Sequence, residues 1–123
     1  MQKILIVDDS HAVRLLVARL VRQLDPDCDI VALESAELAL AYLEGQLEPP
    51  DLALIDYTLP GMDGLSLARA MNALSRPPMR ALFTANIQDA VAVEARDLGM
   101  IVLRKPIDRA TIAQLITKGG SPR

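Results

Sequence analysis

Apolar and polar positions along this chain follow two rhythms that exchange at regular intervals. Unbroken apolar or nearly apolar runs of about four residues occur at Ile4 to Val7, Ile30 to Leu33, Leu52 to Ile55, Arg80 to Phe83 and Ile101 to Arg104. Short runs of that kind are how parallel strands covered on both faces read. Between them the rhythm is helical. Val13, Leu16, Val17, Leu20, Val21 and Leu24 recur at i, i+3, i+4, i+7, i+8 and i+11, which puts them on one face of a first helix. Arg14, Arg19, Arg22 and Gln23 take the other face, with Arg14 at the margin toward the core.

Helix boundaries are marked by residue type. Ser35 is placed to cap a second helix with Glu37 in its first turn, and Gly45 stands just past the last apolar residue. A third helix, from about Gly64 to Leu74, has to stop before Pro77 and Pro78. Asn86 is the expected cap of a fourth helix closed by Gly99, and Asp108 that of a fifth, whose stripe is Ile112, Leu115 and Ile116. Strict β-α alternation without repeats or linkers predicts one parallel sheet with helices on both sides. The expected domain covers residues 1–118, with 119–123 as a flexible tail.

At 123 residues the chain suits one core rather than two. Its net charge of -3, from 13 basic and 16 acidic residues, gives no electrostatic case for direct nucleic-acid binding. A strand begins within a few residues of the N-terminus with no charged leader before it. No apolar run reaches the ~20 residues of a membrane span. A cytoplasmic protein with no membrane role is expected. The single cysteine, Cys28, lies in the polar stretch "DPDCDI" and reads as a bystander.

The chemistry gathers at the strand ends. Asp8 and Asp9 follow the first run and Asp56 the third, so all three carboxylates should meet at the carboxyl edge of the sheet, where open α/β folds bind ligands. Two like charges ~4 Å apart repel by about 4 kcal/mol at an effective dielectric near 20. A raised carboxyl pKa or a bound divalent cation relieves that repulsion. An all-oxygen site that keeps several waters suits Mg²⁺. Thr84 and Lys105 end the fourth and fifth runs, adding a hydroxyl and an ammonium of the kind that receive phosphoryl oxygens.

Taken together, "ILIVDDS", "LALIDYTLPGMDG", "FTAN" and "LRKPI" resemble, in order and spacing, the receiver domain of bacterial two-component response regulators, the CheY-like family. The resemblance runs from Lys3 to about Thr117. It implies a flavodoxin-like (βα)5 domain whose five-stranded parallel sheet has the order 2-1-3-4-5. It also implies a phosphorylatable signalling switch rather than a dedicated enzyme. Asp56 would take a phosphoryl group from a phosphohistidine on a histidine kinase or histidine phosphotransfer protein. Asp9 would bind Mg²⁺ directly, Asp8 would hold metal-bound water, and Asp56 and the backbone carbonyl of Thr58 would complete the metal set. Lys105 would pair with Asp56 until a phosphoryl oxygen arrives, Thr84 would donate to another such oxygen, and the Lys105-Pro106 peptide would be cis. A downstream protein would dock on the face of the fourth helix, fifth strand and fifth helix of a monomer or weak homodimer.

One departure from that family bears on output. Val102 stands where the family usually carries an inward-turning tyrosine or phenylalanine, so the aromatic switch is missing while the phosphorylation chemistry is intact. Two other classes fit less well. A haloacid-dehalogenase-like phosphatase wants a second acid two residues after its nucleophile, and Thr58 occupies that place. A scaffold that is never phosphorylated would not need the whole set of pocket residues. His11 lacks a suitably spaced soft partner for a metal and reads as a helix-start residue. Tyr57 reads as a loop residue beside the site.

Overall fold

The structure, a computed structural model, describes residues 3–120. Its elements alternate without exception: β1 Lys3–Val7, α1 His11–Leu24, β2 Asp29–Leu33, α2 Ala36–Glu44, β3 Leu52–Asp56, α3 Gly64–Met71, β4 Met79–Thr84, α4 Asp89–Asp97, β5 Ile101–Arg104 and α5 Arg109–Gly120. All strand pairs are parallel, in the order β2-β1-β3-β4-β5. α5 runs to Gly120, two residues into the segment expected as a tail, and 121–123 lie outside the described residues.

The two-residue period of a strand sends neighbouring side chains to opposite faces. Ile4, Ile6, Leu52, Leu54, Ala81 and Phe83 pack in one buried layer with Val17 and Val21 of α1 and Ile112 and Leu115 of α5. Leu5, Val7, Ala53, Ile55 and Leu82 pack in the other with residues of α2, α3 and α4. β3 is buried at every position, as its unbroken apolar run requires.

Most boundaries follow the residue types. Ser35 Oγ accepts from Leu38 N–H at 3.1 Å, and Asp108 Oδ1 accepts from Thr111 N–H at 2.8 Å. Gly99, at φ +85°, closes α4 as a Schellman turn, with Gly99 N–H bonded to Arg96 O and Met100 N–H to Ala95 O, each at 2.9 Å. Asn86, however, does not cap α4. Its N–H is held by Thr84 Oγ1 in a tight turn, and Gln88 takes the cap position without a side-chain bond. α3 ends at Met71 rather than Leu74, because Asn72, Ala73 and Leu74 bond back to carbonyls three residues away, a tighter winding that stops the helix. Leu16 is 45% exposed, since α1 turns Val17, Ala18 and Val21 inward instead. Cys28 is buried, not free in a polar loop, and burial followed by Asp25, Asp29 and Asp51 pushes its thiol up to about 11, so it stays an inert thiol.

Candidate functional site

Parallel pairing delivers the strand ends to one edge. In register Val7 lies beside Ile55, Asp56 beside Phe83 and Thr84 beside Arg104. The ladder continues past these ends: Asp8 N–H donates to Leu33 O at 3.1 Å, Tyr57 N–H to Phe83 O at 2.9 Å and Lys105 N–H to Thr84 O at 2.9 Å. Asp8, Asp56 and Lys105 continue the alternate positions that face α1 and α5. Thr84 continues the Arg80 and Leu82 positions, which face α3 and α4.

Carboxylate oxygens of Asp8, Asp9 and Asp56 all lie within 4.8 Å of one another. Asp8 is 3% and Asp56 7% exposed, whereas Asp9 is open to solvent. Neither Asp8 nor Asp9 is the cap of α1: Ser10 is, with its Oγ accepting from Val13 N–H at 3.2 Å. Asp8 Oδ1 accepts from Ser10 N–H at 2.9 Å, and Asp8 Oδ2 accepts from Lys105 Nζ at 3.1 Å. Lys105 Nζ also lies 3.4 Å from Asp56 Oδ1, which accepts Thr58 N–H at 3.4 Å. The ammonium thus makes the expected pair with Asp56 and also bonds Asp8, to which it sits nearer. The Lys105-Pro106 peptide is cis.

The charges pull on one another as this crowding demands. Burial, then the neighbouring Asp8, raises the Asp56 pKa above its ordinary value, with Lys105 and Thr58 N–H working against the rise. Burial alone would lower Lys105, but its bonds and charge attraction to Asp8 and Asp56 outweigh it and hold the ammonium above its ordinary value. Thr84 Oγ1 is engaged elsewhere, donating to Asn86 O and accepting from Asn86 N–H, both at 3.3 Å. The donor set is entirely hard oxygen, which fits Mg²⁺ and not a metal that selects sulfur or imidazole. His11 lies exposed at the start of α1, with Nδ1 3.4 Å from Arg14 Nη2, and Tyr57 packs half-buried against the α2–α4 layer.

Several supporting residues carried no clear sequence signal. Arg14 Nη1 donates to the Asp8 carbonyl at 2.7 Å and braces the acidic turn from α1. Gly64 lets α3 start directly against β3, since a Cβ there would stand 2.5 Å from the Asp56 carbonyl oxygen. Arg80 is 7% exposed and ties two helix ends together: Nη1 donates to Ala68 O and Asn72 Oδ1, both at 2.7 Å, and Nη2 to Leu98 O at 3.0 Å. The exposed pair Arg69 and Glu94 also joins α3 to α4.

A family model describing the response regulator receiver domain matches residues 4–117. The positive alginate biosynthesis regulatory protein of Pseudomonas aeruginosa is 33% identical over 97% of this chain, which spans 47% of that protein. Sporulation initiation phosphotransferase F of Bacillus subtilis is 28% identical, covering 95% of this chain and 92% of its own length. The crystal structure of a CheY-like response regulator receiver domain protein from Methanospirillum hungatei superposes with a TM-score of 0.86 at 24% identity, covering 96% of this chain and 92% of that one. This chain thus spans about half the length of the alginate regulatory protein and of the sensory transduction protein LytT of Bacillus subtilis, 47% and 48%. Among the described residues no helix is long and apolar enough to cross a membrane.

Proposed function

This chain belongs to the response regulator receiver domain family and so is a phosphorylatable signalling switch; from that premise we propose that Asp56 is the residue that takes the phosphoryl group. The observation that carries this reading is the position of Asp56 at the end of the central strand, buried, with Lys105 Nζ at 3.4 Å and the other two carboxylates within 4.8 Å. Its donor is a phosphohistidine on a histidine kinase or histidine phosphotransfer protein. An Asp56 carboxylate oxygen attacks the phosphorus, the new O–P bond forms as the P–N bond breaks, and the imidazole leaves.

Asp8, Asp9, Asp56 and the Thr58 carbonyl would hold Mg²⁺, which when bound supplies the positive charge that lets the anionic phosphoryl group enter an acidic pocket. Lys105 is already poised over the nucleophile. It exchanges its carboxylate partners for a phosphoryl oxygen, stabilising charge where it accumulates. Thr84 releases Asn86 and turns its hydroxyl to another phosphoryl oxygen, which unties the turn that leads into α4. Val102, half-buried against the α2–α4 layer, is too short to report that motion by swinging in and out. The backbone from Thr84 to Gln88 therefore carries the change to the α4-β5-α5 face, where a cytoplasmic target protein docks on a monomer or weak homodimer.

Intact-mass analysis after incubation with acetyl phosphate tests the reading. One phosphoryl group should appear on the wild type only when Mg²⁺ is present and should be absent from Asp56→Ala. Undiminished labelling of that variant would reject the assignment.

A further inference from the structure

We infer that Glu37, on the first turn of α2, is a positioning residue for the metal site, acting through the loop that carries Thr58. The inference rests on the Mg²⁺ reading of the pocket given above. The loop between β3 and α3 is fastened at both ends. At the start, Tyr57 N–H donates to Phe83 O at 2.9 Å; at the finish, Asp63 Oδ1 accepts from Ser66 N–H at 2.8 Å and Gly64 N–H donates to Tyr57 O at 3.2 Å. Between these anchors the buried Leu59 is an apolar hold. Between the anchors a further bond reaches the loop from outside, Met62 N–H to Glu37 Oε2 at 3.0 Å, made across 25 residues of sequence.

The loop is shaped to accept that carboxylate. Gly61 has φ +74°, and a Cβ on it would stand 2.5 Å from Glu37 Oε2, so the backbone runs directly against the glutamate. Ser35 fixes the turn of α2 that presents Glu37, by accepting Leu38 N–H at 3.1 Å. The bond to Met62, followed by one to Glu37's own backbone N–H, holds the carboxyl below its ordinary pKa. A charged acceptor in the first helical turn is also favoured by the helix dipole. The consequence is a strut from α2 to the loop whose other end bonds the nucleophile, through Thr58 N–H and Asp56 Oδ1. Groups that orient metal ligands from outside their immediate shell commonly change affinity when removed.

The test compares wild type, Glu37→Ala and Glu37→Gln by amide exchange and by NMR titration with Mg²⁺ alone. Glu37→Ala should lose exchange protection at Met62 and bind Mg²⁺ roughly three- to tenfold more weakly, at or below the low end of ~10- to 100-fold effects seen for such groups. Its unfolding transition should be nearly that of wild type, because Glu37 is exposed. Glu37→Gln keeps an acceptor oxygen without the charge and should restore most of both losses. Wild-type Mg²⁺ affinity in Glu37→Ala would overturn the inference. So would a glutamine variant as weak as the alanine one, since the effect would then be charge at a distance. Failure of the wild type itself to bind Mg²⁺ would instead reject the metal reading of the pocket.

Discussion

Asp56→Asn should make the metal-free protein more stable at pH 7, although it removes the residue around which the site is built. Asp8 and Asp56 oxygens lie within 4.8 Å of each other, a repulsion of at least about 3.5 kcal/mol at an effective dielectric near 20. Lys105 Nζ at 3.4 Å returns about 5 kcal/mol of attraction by the same rule. Asp9 adds a solvent-screened repulsion of its own. The pairwise charges nearly cancel, and the cost of burying an ionised carboxylate, several kcal/mol before compensation, decides the sign. Asparagine preserves the shape and the acceptor for Thr58 N–H without that cost. A gain of about 1–2 kcal/mol is expected, or a Tm rise of roughly 5 °C.

The pH dependence of that gain follows from the raised pKa of Asp56. The folded state holds the Asp56 proton more tightly than the unfolded chain, where Asp titrates at about 3.9. Its contribution to stability is therefore complete in acid and is lost as pH rises through the folded value. The variant has no such loss, so the gap between the two proteins should open from acid to neutral pH. Mg²⁺ should narrow it by stabilising the wild type more than the variant, which keeps Asp8 and Asp9 but has lost the third carboxylate. Urea melts in chelator-treated buffer measure the difference. A variant less stable than wild type at pH 7, or a gap that narrows as pH rises, would refute the reasoning.

Gly64→Ala should lose about 2–3 kcal/mol in a urea melt, because its Cβ meets the fixed Asp56 carbonyl and, at 3.0 Å, the buried side chains of Ile55 and Leu82; a loss within the ~0.5 kcal/mol of an ordinary surface change would count against that packing. Arg80→Met should cost about 2 kcal/mol and release amide protection at the ends of α3 and α4 together, since one guanidinium bonds Ala68, Asn72 and Leu98; unchanged protection at both ends would show that the clip holds neither. Beryllofluoride, a phosphoryl mimic, should shift backbone NMR signals from Ala85 to Val91 more than that of Val102, and the opposite pattern would remove the loop from the output route.

The sheet was legible because both its faces are covered: an apolar run with no polar interruption has no other comfortable place, and β3 is buried throughout. Its strand order came by resemblance, since alternation alone does not say which neighbours pair. The acidic residues and Lys105 were legible for the same reason, as each stands at a strand's carboxyl end. Less was readable where the decisive contact is remote in sequence. Asn86 has the chemistry of a cap, but Thr84 claims its backbone first. Arg80 begins a run as an ordinary strand-end arginine would, and only the meeting of the ends of α3 and α4 makes it a buried clip. Glu37 looks like any first-turn acid until the loop 25 residues onward folds against it.

The central claim is that Asp56 carries the phosphoryl group. Borohydride reduces an aspartyl phosphate to homoserine, which marks the residue permanently. Wild-type protein phosphorylated with acetyl phosphate and Mg²⁺, reduced, digested and sequenced by tandem mass spectrometry should show homoserine at position 56. Homoserine at position 8 or 9 with none at 56 would contradict the account.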